Sequence, residues 1–439
     1  MATRAELAHL LRRATFGPRA EEVDAAERAG ATATLAGLVN PASPDAGAAA
    51  TPMPVLATDP RYALGTKPTV QQRQQAQQQE ADWTRTARVW WLDRMVAADH
   101  QLAEKLVFFW HGHWATSVQK VNDPGLMLVQ QQTLRDLGGG DFGVLLRAML
   151  RDPALIVWLD GELNTAKAPN ENLARESMEL FTLGVGNYTE TDVRQAARAL
   201  TGWQVDRKAR TSSLTAKRHD DGDKTILGRS GPLDANGFAG ILLDQPANGA
   251  FLATRLWYRF ATDQPIAPEV RDRLAGAYRA RRDIGTLLTA MFTDAAFAGT
   301  GGQLVRQPVE WAVGAMRQLG LRPAKLPAQV QRQLLRGLTA MGQTLFAPPN
   351  VGGWPGGAAW LTSSSGGTRL QLSTLLAAHV DQPVLDQIGK APAGQRVDAL
   401  ARLLVVDAFT ARTRAVLNPV TDPRRLIALG LASPEYAVC

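Results

Sequence analysis

The stretch NENLARESMELFTLG, residues 170–184, carries three glutamates and one arginine beside an apolar stripe. At 3.6 residues per turn it would form about four helical turns. Charges this close to an apolar face must be paired, bound to a ligand or turned to water. The stretch therefore predicts a helix that packs on a core and carries candidate chemistry.

Helical periodicity continues over most of the chain on either side of this stretch. Strand signals are scarce, and no alternating strand–helix pattern or fixed repeat is found. Residues 40–68 are rich in Pro and Ala and predict a loop too polar to pack, and the Gly- and Asp-rich residues 203–230 predict a loop or small β-hairpin insertion. The sequence thus predicts a mainly α protein, with residues 1–439 forming one large helical domain.

The composition of the chain excludes several kinds of protein. The apolar fraction of 45% suits a globular protein with a sizeable core, and no window is long and apolar enough to span a membrane. The net charge is +7, but basic and acidic residues alternate, as in RARRD at 279–283, so nucleic acid is not an expected partner. The single cysteine is Cys439, which excludes a disulfide within the chain and a thiolate metal cluster. The start lacks the pattern of a secretory signal, so we expect a protein that is cytoplasmic as synthesised.

Six segments together resemble a bacterial family known as domain of unknown function 1800. They are HLLRRATFGP (9–18), FWHGHW (109–114), residues 170–184, AARALTGW (196–203), His219-Asp220 with Lys224 and Gly228, and PPNVGGWP (348–355). Members of this family are often encoded beside a sulfatase-like protein that has a twin-arginine export signal. The resemblance therefore implies a sulfatase-like exported partner, and export of this chain as that partner's passenger.

Two histidines stand two residues apart in the segment 109–114. In a continuous helix His111 and His113 would point about 200° apart and could not share a metal ion. If Gly112 ends the helix, the two imidazoles could converge as metal ligands or acid–base groups. The alternative is that both are buried, hydrogen-bonded residues at the helix end.

The carboxylates of residues 170–184 allow two interpretations. Glu171, Arg175 and Glu179 have the spacing of a surface salt-bridge ladder with an asparagine cap, each pair contributing about 0.2–0.5 kcal/mol. Glu176 lies off that row and could form a carboxylate pair or a metal site with Glu179. On this second interpretation Glu176, Glu171 and Arg175 are the candidate catalytic residues.

Histidine and acid also meet in the insertion, at His219 and Asp220. This loop is either a polar surface turn or a segment that folds back to complete a site with His111 or His113. No single segment has metal-binding spacing, so a metal site would draw on distant residues, namely His111, His113, Glu179, His219 and Asp220. Imidazole and carboxylate ligands suit iron, manganese or zinc.

The Gly- and Pro-rich loop at 348–357 could present Trp354 as a stacking platform for a substrate, or Trp354 could plug the core. With Asn350 and Asn172 it forms the candidate substrate-binding set. Phosphate-loop spacing is absent, so we do not expect nucleotide binding.

These patterns favour an enzyme with a buried His/carboxylate site, with a divalent metal ion as redox or Lewis-acid centre. A first alternative is a metal-independent glycan hydrolase, with Glu176 as general acid and Asp160 or Glu171 as its partner. A second alternative is a non-catalytic partner or chaperone of the sulfatase-like exported protein.

Overall fold

Polar side chains at helix starts set many of the helix boundaries. The Thr3 hydroxyl accepts a hydrogen bond from the N–H of Glu6, and the Glu6 carboxylate accepts one from the N–H of Thr3. Thr69 and Gln72 form the same reciprocal pair before a 28-residue helix. Such pairs satisfy N–H groups that have no partner within the helix, and one cap is worth roughly 1 kcal/mol.

The computed structural model describes residues 2–64 and 66–439. Its first helices are α1 (Arg4–Ala14), α2 (Ala20–Ala29), α3 (Ala31–Val39), α4 (Ala46–Ala49), α5 (Val70–Ala97), α6 (Gln101–His113), α7 (Val118–Val121), α8 (Pro124–Leu137), α9 (Phe142–Met149), α10 (Pro153–Trp158), α11 (Asn172–Glu176) and α12 (Glu190–Ala199). The later helices are α13 (Ala235–Asp244), α14 (Pro246–Phe260), α15 (Pro268–Arg279), α16 (Ile284–Thr293), α17 (Ala295–Ala298), α18 (Pro308–Gln318), α19 (Ala328–Ala340), α20 (Ser363–Ala378), α21 (Gln382–Gly389), α22 (Arg396–Leu403), α23 (Ala411–Leu417), α24 (Pro423–Leu431) and α25 (Pro434–Ala437). Short 3₁₀ turns lie at Pro60–Ala63, Gly161–Leu163, Ala216–Arg218, Pro323–Lys325, Gly357–Trp360 and Ala393–Gln395.

The helices enclose one large hydrophobic core, whose members run from Leu10 to Tyr436. A smaller cluster joins α1 and α2 to Val405. Helix α6 is buried on nearly all faces, because apolar residues occupy almost every position between Leu102 and Trp110. The predicted fold class, a mainly α single domain, is confirmed. In the described part of the chain, no helix combines the length and apolarity needed to cross a bilayer.

The insertion near 203–230 was predicted to be either a loop or a small β-hairpin. The structure has antiparallel hairpins there. Strand β1 (Trp203–Asp206) pairs with β2 (Thr211–Leu214), so that Trp203 lies opposite Leu214. Strand β3 (Lys224–Ile226) pairs with β4 (Arg229–Gly231), which extends one residue beyond the predicted limit.

Residues 40–68 have little regular structure, but the expectation that they are too polar to pack is wrong. Thr51, Leu56 and Asp59 in this segment are buried. The Asp45 carboxylate caps α4 and also accepts hydrogen bonds from the backbone N–H groups of Asp99 and His100. Side-chain acceptors thus anchor the segment to the end of α5, and the few apolar residues can pack.

The single helix predicted over residues 170–184 is also wrong in part. Helix α11 gives way to a π-helical turn at Ser177–Thr182, in which the N–H of Leu183 donates to the carbonyl of Met178 at 2.9 Å. A π-turn displaces the following side chains and leaves backbone carbonyls free for other donors. The side chains of His113 on α6 and Asn248 on α14 bond to the carbonyls of Phe181 and Thr182 in this turn.

Candidate functional site

Two of the family-like segments meet through their glycines. A Cβ atom on Gly353 would lie 2.1 Å from the carbonyl oxygen of Gly112, and Gly353 has φ +84°. Only glycine combines this φ with so close an approach of two backbones. The contact places Trp354 on α6, where its ring carbon Cε3 lies 3.5 Å from the position of a Cβ on Gly112.

A cleft of about 50 Å³ lies at this junction between α6, α14 and the Trp354 loop. We call it the aromatic–arginine cleft. Its lining residues are Phe108, Phe109, Gly112, His113, Arg255, Tyr258, Arg259, Gln307, Trp354 and Pro355. Cavity space of about 10–15 Å³ admits one water molecule, so the cleft can hold a group of a few atoms while the remainder of a ligand extends outward.

One of the two arginines of the cleft has an acidic partner. Arg259 Nη2 lies 3.5 Å from Glu310 Oε1, and its guanidinium stands 5.0 Å above the ring of Phe108. Lys105 Nζ lies 3.2 Å from the same oxygen of Glu310. Burial alone would raise the pKa of the Glu310 carboxyl, but Arg259 and Lys105 hold that pKa at about 2. Glu310 is therefore charged and shared by two cations.

The other arginine lacks such a partner. Arg255 and Arg259 stand four residues apart on α14, a helix whose sequence contains no Asp or Glu. Among the described residues, no carboxylate pairs with Arg255, and its buried Nε has no acceptor. Burial lowers the pKa of Arg255, and the charge of Arg259 acts in the same direction. The cleft thus contains a half-buried guanidinium that no carboxylate among the described residues pairs with.

His113 is neutral and oriented in this cleft. Its Nε2 lies 3.0 Å from the carbonyl oxygen of Phe181, a carbonyl of the π-helical turn. Since a carbonyl only accepts, we assign the hydrogen to Nε2 and a lone pair to Nδ1. Nδ1 has no donor among the residues that the structure describes. Burial, with a contribution from Arg255, lowers the pKa of His113 to about 3.

The expectation that Gly112 ends the helix and lets the two histidines converge is wrong. Helix α6 continues through His113, so the two imidazoles point to different sides. His111 is fully buried, 5.2 Å from the ring of Trp91 and 5.5 Å from that of Trp354 between ring centroids. Burial lowers the pKa of His111 to about 3, which makes it a neutral ring in an aromatic cage.

The predicted ladder on residues 171–179 is half wrong. Arg175 does pair with Glu171, at 3.0 Å, but its other partner is Glu190, at 2.7 Å. Glu179 accepts a hydrogen bond from the hydroxyl of Tyr188 instead. The π-helical turn causes this difference, because it shifts Glu179 out of the i+4 row that begins at Glu171.

Glu176 keeps the most unusual environment of these carboxylates. It is partly buried, and burial together with the charge of Glu179 raises its pKa. Its predicted partners are engaged elsewhere: Glu171 with Arg175, and Asp160 with Lys120 at 2.8 Å. Glu176 does not line the aromatic–arginine cleft.

His219 and Asp220 make contacts that fix the insertion in place. His219 Nδ1 lies 2.9 Å from the carbonyl oxygen of Thr201. Asp220 pairs with Arg198 at 2.7 Å, and burial lowers the pKa of the neighbouring Lys224, whose ammonium donates to the carbonyl of Asp220. Within residues 2–64 and 66–439, no group of three or more His, Cys, Asp or Glu side chains is placed to hold one metal ion. The donor set proposed from the sequence therefore does not fit a single metal site.

The candidate substrate-binding residues are divided between the cleft and other places. Trp354 borders the cleft and also packs on the core, with its ring 5.8 Å from that of Phe108. Asn350 is exposed, and its side-chain oxygen accepts from the N–H of Gly352, which fixes the loop. Asn172 lies at the start of α11, where its N–H donates to the side chain of Asn170.

Four polar residues of the cleft were missed in the sequence: Arg255, Tyr258, Arg259 and Gln307. A signal for two of them was present. Like charges at i and i+4 destabilise a helix by about 0.2–0.5 kcal/mol, so such a pair on a helix without acids indicates an anion outside that helix.

Comparison with known proteins gives one match. The family model described as "Protein of unknown function (DUF1800)" matches residues 9–438. A search of curated proteins found no match, and neither did a search of solved structures.

Proposed function

The chain belongs to the DUF1800 family, and we propose that it is an enzyme whose aromatic–arginine cleft binds an anionic group of its substrate. The observation that carries this proposal is the guanidinium of Arg255 in the cleft, which has no carboxylate partner among the described residues. A buried charge without a partner is costly. A carboxylate, sulfate or phosphate group would remove that cost through charge-assisted hydrogen bonds.

The charges around the cleft support an anion rather than a cation. Lys105, Arg255 and Arg259 supply three positive charges, and Glu310 supplies the only negative charge paired with them among the described residues. Cys439 at the chain end also acts as a negative group on Lys105 and Arg259, so the surplus is the positive charge of Arg255. Because the surrounding side chains are aromatic, this surplus acts in a medium of low polarity, where an anion is attracted strongly.

His113 is the acid–base group of the proposed site. Its pKa of about 3 makes it a weak base in the free protein. An anion bound about 6 Å away, at an effective dielectric constant of about 20, would stabilise the imidazolium by roughly 3 kcal/mol, or about 2 pKa units. Substrate binding would thus bring the pKa of His113 closer to the range in which a histidine takes a proton from water or a hydroxyl group.

The aromatic side chains define the rest of the substrate. Trp354 and Phe108 form one wall of the cleft with rings inclined by 29°. A flat or ring-shaped group next to the anion could stack on this wall. The proposed substrate class is therefore a small organic anion with a ring close to its charged group.

A second candidate function is the metal-independent glycan hydrolase. The raised pKa of Glu176 favours it, since the general acid of a glycoside hydrolase has a raised pKa. Its partner would be Glu179, the carboxylate that contributes to this shift. A divalent metal ion held by the donors named from the sequence is not part of this proposal, because those donors lie apart in the described residues. The sulfatase-like partner and export stay predictions from the family resemblance.

Anion binding tests the main proposal. Calorimetric titration with sulfate, whose charge does not change between neutral and mildly acidic pH, should show saturable binding to the wild type. Arg255→Gln should weaken it at least tenfold, because one charge–charge interaction is lost. Arg271→Gln, which removes an exposed arginine paired with Asp272 on α15, is the matched control and should change the affinity less than twofold.

The role of His113 is tested by the pH dependence of the same titration. Since a bound anion raises the pKa of His113, sulfate should bind more tightly as the pH falls from about 7 toward about 4.5. His113→Gln keeps a donor for the carbonyl of Phe181 and should abolish this dependence. Equal sulfate affinity in the wild type and Arg255→Gln would refute the anion site; an unchanged pH dependence in His113→Gln would refute only the acid–base role.

A further inference from the structure

A second cavity lies under α1 and shares no lining residue with the cleft. Its volume is about 350 Å³, within the usual range for small-molecule sites. Leu10, Phe292 and Phe297 form much of its apolar wall, and His9 and Gly301 also line it. His9 belongs to the family-like segment 9–18, which the proposed function does not use.

His9 places one hydrogen-bond acceptor in this apolar wall. Its side chain stacks on Phe297 with ring centroids 4.8 Å apart, and the residue is 7% exposed. Nε2 lies 3.2 Å from the carbonyl oxygen of Phe297, so we assign the hydrogen to Nε2 and the lone pair to Nδ1. Nδ1 is buried and has no donor among the described residues. It faces Gly301, where an added Cβ would lie 4.0 Å from it.

Burial keeps the imidazole of His9 neutral. It lowers the pKa of His9 to about 4, and the nearby Arg13 acts in the same direction. At neutral pH the ring therefore offers an uncharged acceptor, and the lone acceptor needs a donor because burial of an unsatisfied polar atom costs about 1–3 kcal/mol.

The charged groups at the edge of the cavity already have partners. Arg12 donates to both oxygens of Asp407, at 2.9 and 2.7 Å. The Glu6 carboxylate accepts from Thr3 in the cap of α1. Among the described residues that line the cavity, these contacts leave no unpaired cation to attract an anionic ligand, in contrast to Arg255 in the cleft.

We propose that this cavity is a binding site for a neutral, flat aromatic molecule that donates one N–H or O–H group to Nδ1 of His9. The ring of the ligand would lie against Leu10, Phe292 and Phe297. This site is separate from the aromatic–arginine cleft and does not depend on the function proposed for it.

Indole and 1-methylindole are suitable probes, because they have nearly the same shape but only indole has an N–H donor. Calorimetry or ligand-observed NMR should give a Kd of about 1 mM or tighter for indole. 1-Methylindole should bind at least fivefold more weakly. His9→Phe, which keeps a stacking ring without Nδ1, should bind both probes equally, and His379→Phe is its control because His379 lies on a different part of the chain and bonds to Leu375.

Gly301→Ala provides a test that does not disturb the core. The added methyl group makes only an ordinary contact with His9 and occupies the space over Nδ1. It should weaken indole binding at least fivefold, whereas Gly299→Ala, outside the lining, should not. No saturable binding of indole, equal binding of the two probes to the wild type, or wild-type affinity in Gly301→Ala would each overturn the proposal.

Discussion

Glu310→Gln is the perturbation whose effect the structure defines best. Glu310 is 5% exposed and pairs with two cations, the buried Lys105 and the partly buried Arg259. It also accepts a hydrogen bond from the N–H of Gln307 at the start of α18. Glutamine has nearly the same shape and keeps an oxygen for this hydrogen bond, so the substitution removes the charge and little else.

The expected loss follows from the pKa of Glu310. It falls from 4.5 to about 2 on folding, a shift of about 2.5 units or roughly 3 kcal/mol. Loss of one partner of a buried ion pair typically costs about 3–5 kcal/mol, because the other charge stays buried. Burial lowers the pKa of Lys105 even with Glu310 at 3.2 Å, so an unpaired Lys105 would be costly. We expect Glu310→Gln to lower the free energy of unfolding by about 3–5 kcal/mol at pH 7.

The sign of the pH dependence is also defined. The pKa of Glu310 is lower in the folded than in the unfolded protein, so its contribution is complete above the unfolded value of 4.5 and is lost as the pH falls toward about 2. The difference between the wild type and Glu310→Gln should therefore shrink over that interval.

Urea unfolding followed by circular dichroism and tryptophan fluorescence, at pH 7 and at several lower pH values, measures both effects. Glu269→Gln, at an exposed position on α15, is the control and should change stability by less than about 0.5 kcal/mol. A Glu310→Gln protein within about 1 kcal/mol of the wild type at pH 7, or a difference that does not shrink below pH 4.5, would refute this reasoning.

Two further predictions concern the site. Gly353→Ala should lower the free energy of unfolding by more than about 3 kcal/mol or prevent folding, because its Cβ would lie 2.1 Å from the carbonyl oxygen of Gly112 at a φ of +84°. The control, Gly240→Ala, should be nearly neutral because no atom lies within 4 Å of the added methyl group, and equal thermal stability of the two variants would contradict the close contact. Elemental analysis of the purified protein should find much less than one iron, manganese or zinc ion per chain, and EDTA should leave the Tm unchanged. The reason is that His111, His113 and His219 lie in separate environments. A stoichiometric metal ion that is lost in His111→Ala would restore the metal hypothesis.

Several features of the site followed from the sequence because they are local. The pair of Glu171 and Arg175 was predicted from i,i+4 spacing, and the structure contains it. His113 and Trp354 were singled out as polar and aromatic residues in family-like segments, and both line the cleft. Arg255 was missed, since two arginines at i and i+4 on a helix without acids do not reveal whether an acid of another segment or a ligand will supply the anion.

Apolar periodicity determined the helices, their buried faces and the mainly α class, because each of these depends on residues within a few turns of one another. Only the tertiary structure decided which faces meet. The approach of Gly353 to Gly112, the π-helical turn held by His113, and the pairing of Glu310 with Lys105 and Arg259 join residues far apart in the chain. Such contacts depend on how whole helices pack, and the packing left Arg255 without an acid while it surrounded His111 with aromatic rings.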